Sequence, residues 1–206
     1  MSAIIIGGCL FLAIILISGR LTPGYSHTQQ SISELGMFGT VYGRLVRWVG
    51  FVPLGLSFMA FAFQSGGLFT NLVPSILFFF IGLAILFAGI FPTDPENRRD
   101  TIRGKIHASA VIALLLLLSA SPFMFSISAI YKNPPSEKFL VFSFLMGLLL
   151  LTFLILSSNG NSVRLGVLFQ KAPTESEINW QPLLGLQQRL LLFLHFIWWF
   201  VFFQIL

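Results

Sequence analysis

The chain has 206 residues, of which 56% are hydrophobic and only 9% are Asp, Glu, Lys or Arg; phenylalanine alone occurs 24 times, and the mean hydropathy is +0.89. Soluble domains carry about 25% charged residues, so a water-soluble domain, a disordered chain, a nucleic-acid-binding domain and a disulfide scaffold are excluded. An integral membrane protein remains, and its net charge of +5 reads as attraction to anionic lipid headgroups, not to nucleic acid.

A membrane-crossing helix needs about 20 mostly apolar residues, and six stretches qualify: 2–18, 46–63, 72–91, 106–127, 139–156 and 186–206. Lipid offers no partner to backbone polar groups, so these segments are expected to be helices; a barrel would show short alternating strands. The expected fold is an all-α polytopic bundle of six transmembrane helices, with 1–206 forming one transmembrane domain. The first stretch has no basic residue ahead of Ile4 and only Gly19-Arg20-Leu21 at its far end, so it reads as a retained helix, not a cleaved signal. It holds the sole cysteine, Cys9, which excludes an intramolecular disulfide. Pro53 lies inside the second stretch and is expected to kink it. Ser65-Gly66-Gly67, with Asn71 and Pro74, divides the second stretch from the third.

Ten of the twelve basic residues fall in or beside the connections after stretches one, three and five, and only Lys132 and Lys138 lie on the other side. Lys and Arg near spans resist translocation. The three basic connections are therefore expected in the cytoplasm and both termini outside it, in a multi-pass protein of the cell membrane or, where a cell has two, the inner membrane.

Polar groups with chemical potential gather on this basic side. The first connection reads Tyr25-Ser26-His27-Thr28-Gln29-Gln30-Ser31-Ile32-Ser33-Glu34. Ser31-x-x-Glu34 has the form of a capping box; alternatively Ser31, Ser33 and Glu34 line a polar pocket that His27 can join. The second reads Phe91-Pro92-Thr93-Asp94-Pro95-Glu96-Asn97-Arg98-Arg99-Asp100, with His107 opening the next span. Asp94 and Pro95 suit a helix start. Asp94 ends one span and His107 begins the next, so the pair can also act as carboxylate and general base, or hold a metal. His195 lies deep in the last stretch, where an ionisable group normally faces the bundle interior or a wet cavity. Gln187-Gln188-Arg189 opens that stretch, as headgroup anchors or as pocket residues.

The Ser-x-Ser-Glu-Leu-Gly run at 31–36, Phe-Pro-Thr-Asp-Pro at 91–95, His107 and Gln-Arg-Leu at 188–190 resemble a family of small prokaryotic membrane proteins, catalogued as domain of unknown function 998. The resemblance spans nearly the whole chain. It implies a six-helix membrane protein and singles out Ser31, Ser33, Glu34, Thr93, Asp94 and His107, but implies no substrate, reaction or cofactor.

Two functions follow from these residues. In the first, the protein binds or processes a lipid or other amphiphile on the basic face. Ser31 or Ser33, or a metal-bound water, is then the nucleophile and His107 the base, with Asp94 or Glu34 as its orienter. Thr93, Arg98, Arg99, Arg103 and Arg189 are the expected ligand-binding residues, with His195 as a further one deeper in. In the second, the protein is a non-catalytic sensor, small carrier or scaffold in which His195 is a proton-linked switch. Membrane lipids are the expected partners in both, and a polar path through the bilayer is not evident, which favours the first.

Overall fold

The computed structural model describes residues 2–95, 101–168 and 184–205. Helix α1 (Ser2–Leu21) crosses first; the chain then forms the short helices α2 (Ile32–Leu35) and α3 (Gly43–Leu45). A π-helical turn (Val46–Phe51) runs into α4 (Val52–Gln64), followed by α5 (Val73–Ile90), α6 (Ile102–Phe125), α7 (Glu137–Leu168) and α8 (Leu184–Ile205). Six helical segments are long and apolar enough to span a membrane, and no strand occurs among the described residues. Their alternating direction brings the end of α1 with the connection after it, the end of α5 and the starts of α6 and α8 to one face, the basic one, and the connections after α4 and α6 to the opposite face.

Three element boundaries depart from the apolar stretches, each for a local reason. Proline lacks an N–H, and its ring crowds the carbonyl four residues back, which for Pro53 is that of Val49. The chain widens the turn before it to π geometry, and Pro53 is the second residue of α4. Helix α6 starts at Ile102, four residues before the apolar run, because the Thr101 hydroxyl accepts the Gly104 N–H at 3.1 Å and so caps the helix. Helix α7 continues to Leu168 beyond its apolar window Glu137–Ile155, since polar residues can extend a helix past the hydrocarbon.

Pro122 sits within α6 and leaves the Leu118 carbonyl without its helical partner; the Ser121 hydroxyl donates to that carbonyl at 2.8 Å instead. On the face opposite the basic one, Phe69 and Tyr131 form an isolated antiparallel bridge, with Thr70 N donating to Ile130 O at 2.8 Å and Lys132 N to Leu68 O at 3.1 Å. Tyr131 donates to the Phe125 carbonyl at 2.8 Å. Burial raises its phenol above the ordinary tyrosine range, so it stays a donor.

Helix α8 touches every other span. Phe196 packs against Gly8 of α1. Trp199 meets Phe58 of α4, Phe78 of α5 and Phe125 of α6 at ring-centroid distances of 5.6, 5.1 and 6.0 Å. Trp198 donates from Nε1 to Ser143 of α7 at 3.1 Å. Each aromatic pair contributes about 0.5–1.5 kcal/mol beyond its buried area, which matters because lipid tails supply no hydrophobic drive for helices to associate.

Helices α4 and α5 meet backbone to backbone at Gly55 and Gly82. A Cβ on Gly55 would lie 2.8 Å from the Gly82 carbonyl oxygen, and one on Gly82 would lie 2.6 Å from that of Gly55. Alanine's better helix propensity returns about 1 kcal/mol, less than the cost of separating two packed backbones. Gly55→Ala and Gly82→Ala should therefore each destabilise by about 1–3 kcal/mol in thermal unfolding in detergent, with the double variant falling short of the sum. Gly66→Ala, which meets open space, should be neutral.

Candidate functional site

The site begins at the end of α5. The last carbonyls of a helix have no partner within it, and here the imidazole of His107, reaching across from α6, supplies one. His107 Nδ1 lies 3.0 Å from Ala88 O and 2.8 Å from Phe91 O. Both neighbours are acceptors, so Nδ1 must carry the proton. Nε2 lies 3.0 Å from the hydroxyl of Ser33 in α2. In the neutral ring Nε2 has only a lone pair, so Ser33 Oγ–H donates to it. His107 is buried and Ser33 half-buried.

Ser31 and Ser33 have different partners. Residues two apart on a helical turn do not share a side. Ser31 donates from both its N–H and its hydroxyl to Glu34 Oε1, at 3.1 and 2.9 Å. This is the carboxylate arm of the anticipated capping box. Ile32 N–H donates to Gln188 Oε1 of α8 at 2.8 Å, so the start of α2 is held by a residue 156 positions away.

Asp94 accepts from Thr101, Oδ2 from the backbone N–H at 3.0 Å and Oδ1 from the hydroxyl at 2.5 Å. It thereby clasps the two described ends of the connection around residues 96–100 and braces the Thr101 cap. Its carboxylate packs on Gly104, which is one helical turn before His107 on the same side of α6. The anticipated carboxylate–imidazole pair thus becomes a neighbour relation, with backbone carbonyls at Nδ1. Among the described residues no three His, Cys, Asp or Glu side chains gather as metal ligands would.

Arg189 holds the first connection to α8. Its guanidinium donates to the carbonyls of His27 (2.6 Å), Gln30 (3.0 Å) and Gly185 (2.8 Å) and to the Tyr25 hydroxyl (2.6 Å). Tyr25 donates in turn to Ser31 O at 2.8 Å. Burial raises the Tyr25 phenol above its ordinary range while Arg189 pulls it back, leaving it protonated. The His27 imidazole packs on Gly19 of α1 and edge-on to Tyr25. Burial first, and the Arg189 charge second, hold its pKa below the usual histidine value.

The other expected ligand residues are dispersed. Thr93 is half-buried in the extended segment before Asp94, and Arg103 is exposed in the first turn of α6. Arg98 and Arg99 lie outside the described residues. His195 stands six residues beyond Arg189, about 9 Å deeper at 1.5 Å per residue; it is buried, with Nδ1 bonded to Leu191 O at 2.8 Å. It therefore does not join the rim. Tyr25 and Gln188 are structural members of the site whose roles the sequence did not disclose, because both depend on contacts between the first connection and α8.

Against known proteins, the profile of a family described as protein of unknown function (DUF998) matches residues 5–204. No curated protein and no solved structure matches.

Arg189→Met removes four donated bonds and leaves the His27 carbonyl without a donor, so it should destabilise by about 2–4 kcal/mol in thermal unfolding, with Arg189→Lys recovering only part. Stability should also fall as pH drops below about 6.5, the ordinary histidine value, because the unfolded chain takes up the proton that folded His27 resists. His27→Gln should make that part of the pH profile less steep.

Proposed function

The chain belongs to the DUF998 family, and we propose that it is a membrane-embedded enzyme that opens an ester-type bond of an amphiphile at the basic face. The observation carrying this reading is the Ser33 hydroxyl 3.0 Å from His107 Nε2, with the opposite ring nitrogen engaged by two carbonyls. A nucleophile in hydrogen-bond reach of a base that a third group orients is the arrangement acyl transfer needs.

The steps follow from that geometry. Ser33 Oγ attacks the acyl carbon while its proton passes to Nε2. The resulting imidazolium is stabilised by the carbonyls of Ala88 and Phe91 and by the negative end of the α5 dipole, which favours a cation there. Nε2–H then protonates the departing alkoxide, leaving an acyl group on Ser33. Water, deprotonated by the same nitrogen, attacks the acyl carbon and restores the serine. Asp94, one turn away, adds negative charge on the side of α6 where the imidazolium forms. Ser31 and Glu34 shape the turn, and Gln188 and Arg189 position it. The scarcity of basic residues on the opposite face supports placing this rim in the cytoplasm.

The test uses the full chain purified in detergent and a soluble fluorophosphonate, which captures activated serines. Ser33 should be the labelled residue, labelling should vanish in Ser33→Ala, and it should slow by about 10² or more in His107→Ala. A folded wild-type protein that leaves Ser33 unlabelled, while both variants lower thermal stability, would make the pair a latch between α2 and α6 and overturn the enzyme reading.

A further inference from the structure

Beside the Ser33 turn, the end of α1 and the first connection enclose an open recess of about 460 Å³ lined by Leu16, Gly19, Arg20, Tyr25 and His27. Arg20 is exposed there, and no carboxylate bonds to it among the described residues. His27 Nδ1 is buried without a hydrogen-bond partner. Behind the wall formed by Tyr25, Arg189 spends its bonds on carbonyls and the phenol, and among the described residues none on a carboxylate. Below the rim, Leu16, Ile17 and Leu21 present an exposed apolar strip of α1.

We propose that this recess is a binding site for a phosphate group and that the phosphate is that of a phospholipid headgroup, with one acyl chain lying on Leu16, Ile17 and Leu21. The inference rests on the enzyme reading above and deepens it by naming the headgroup of the amphiphile presented to Ser33. Arg20 supplies a planar pair of donors suited to phosphate oxygens. His27 lines the same space, and Arg189 adds positive charge from behind Tyr25. The C-terminal end of α1 opposes an anion with roughly half a negative charge, but Arg20 and Arg189 together outweigh it. Tyr25 connects recess and nucleophile, since its hydroxyl donates to the Ser31 carbonyl at 2.8 Å, two residues before Ser33.

An arginine at a helix end can also serve as a general headgroup anchor, and the experiment separates the two. The full chain in detergent is titrated with phosphatidylglycerol, phosphatidylcholine, or sn-glycerol 3-phosphate, and bound ligand is counted by native mass spectrometry. One phosphatidylglycerol per chain should bind, about tenfold or more weakly in Arg20→Gln and in His27→Gln. Arg44→Gln, which removes an exposed arginine from the same face, should bind as wild type does. Glycerol phosphate binding with the same variant dependence would support the phosphate site and show that the tail is not required; binding of the phospholipid alone would support the phosphate site and the apolar strip together. Equal losses in Arg20→Gln and Arg44→Gln, or binding of both phospholipids that is unchanged in Arg20→Gln and His27→Gln, would overturn the proposal. The soluble fluorophosphonate does not need the recess. A failed recess therefore leaves Ser33 labelling intact, and a failed nucleophile leaves phospholipid binding intact.

Discussion

A guanidinium held at the membrane rim by carbonyls and a phenol, with no carboxylate bonded to it among the described residues, dictates how this face of the protein is built. Arg189 has five N–H donors, and leaving them unsatisfied away from water is costly. The chain meets most of the demand with backbone: the carbonyls of His27, Gln30 and Gly185 turn toward one terminal nitrogen and the Tyr25 phenol accepts from the other, while Nε stays buried without a partner. A segment with almost no core of its own thereby acquires a defined path over the bundle. Gln188 adds a second tie at Ile32 N–H. The position of α2, and hence of the Ser33 hydroxyl, follows from the first turn of α8.

The same helix organises the bundle at its other end. Deeper in the membrane, α8 offers Phe196, Trp198 and Trp199 to all five other spans. Packing, not water exclusion, drives helix association in lipid, so a helix that is aromatic within and polar at its first turn can serve as both axis and clamp. The opposite face is closed by backbone pairing between its two connections, which leaves the basic face as the side where polar side chains converge. His195 belongs to the packed axis of α8 and not to the rim.

The fold was legible because its determinant is one-dimensional. Hydropathy over about 20 residues identifies spans without knowledge of their neighbours, and six were found at nearly their observed places. Boundaries were less legible where local hydrogen bonding overrules hydropathy, as in the Thr101 cap and the π turn ahead of Pro53. Within the site, the residues were legible by type and by the face they occupy, and Ser33 and His107 do meet. Their partners were not, because pairing is three-dimensional. Asp94 ends one span and His107 opens the next, which suggested an orienting carboxylate, but the carbonyls at the end of α5 bond to Nδ1 and Asp94 is drawn to the Thr101 donors. Tyr25 looked like one polar-loop residue among many, since its significance lies in Arg189, 164 positions later.

Orientation of an imidazole by carbonyls instead of a carboxylate changes the chemistry available to it. A carbonyl selects the Nδ1–H tautomer as firmly as a carboxylate does, but it brings no full charge to stabilise the imidazolium. Here the missing charge is supplied in parts: the negative end of α5 acts at Nδ1, and Asp94 lies one turn along α6. Such a base is weaker than one in a triad, and its strength depends on the helix end staying intact and water staying out. Both conditions are met by the same contact that brings Ser33 in, because α2 covers the His107 ring when Ser33 bonds to Nε2. In the reaction proposed above, the placing of the serine thus depends on the docking of the first connection, which Arg189 and Gln188 hold against α8.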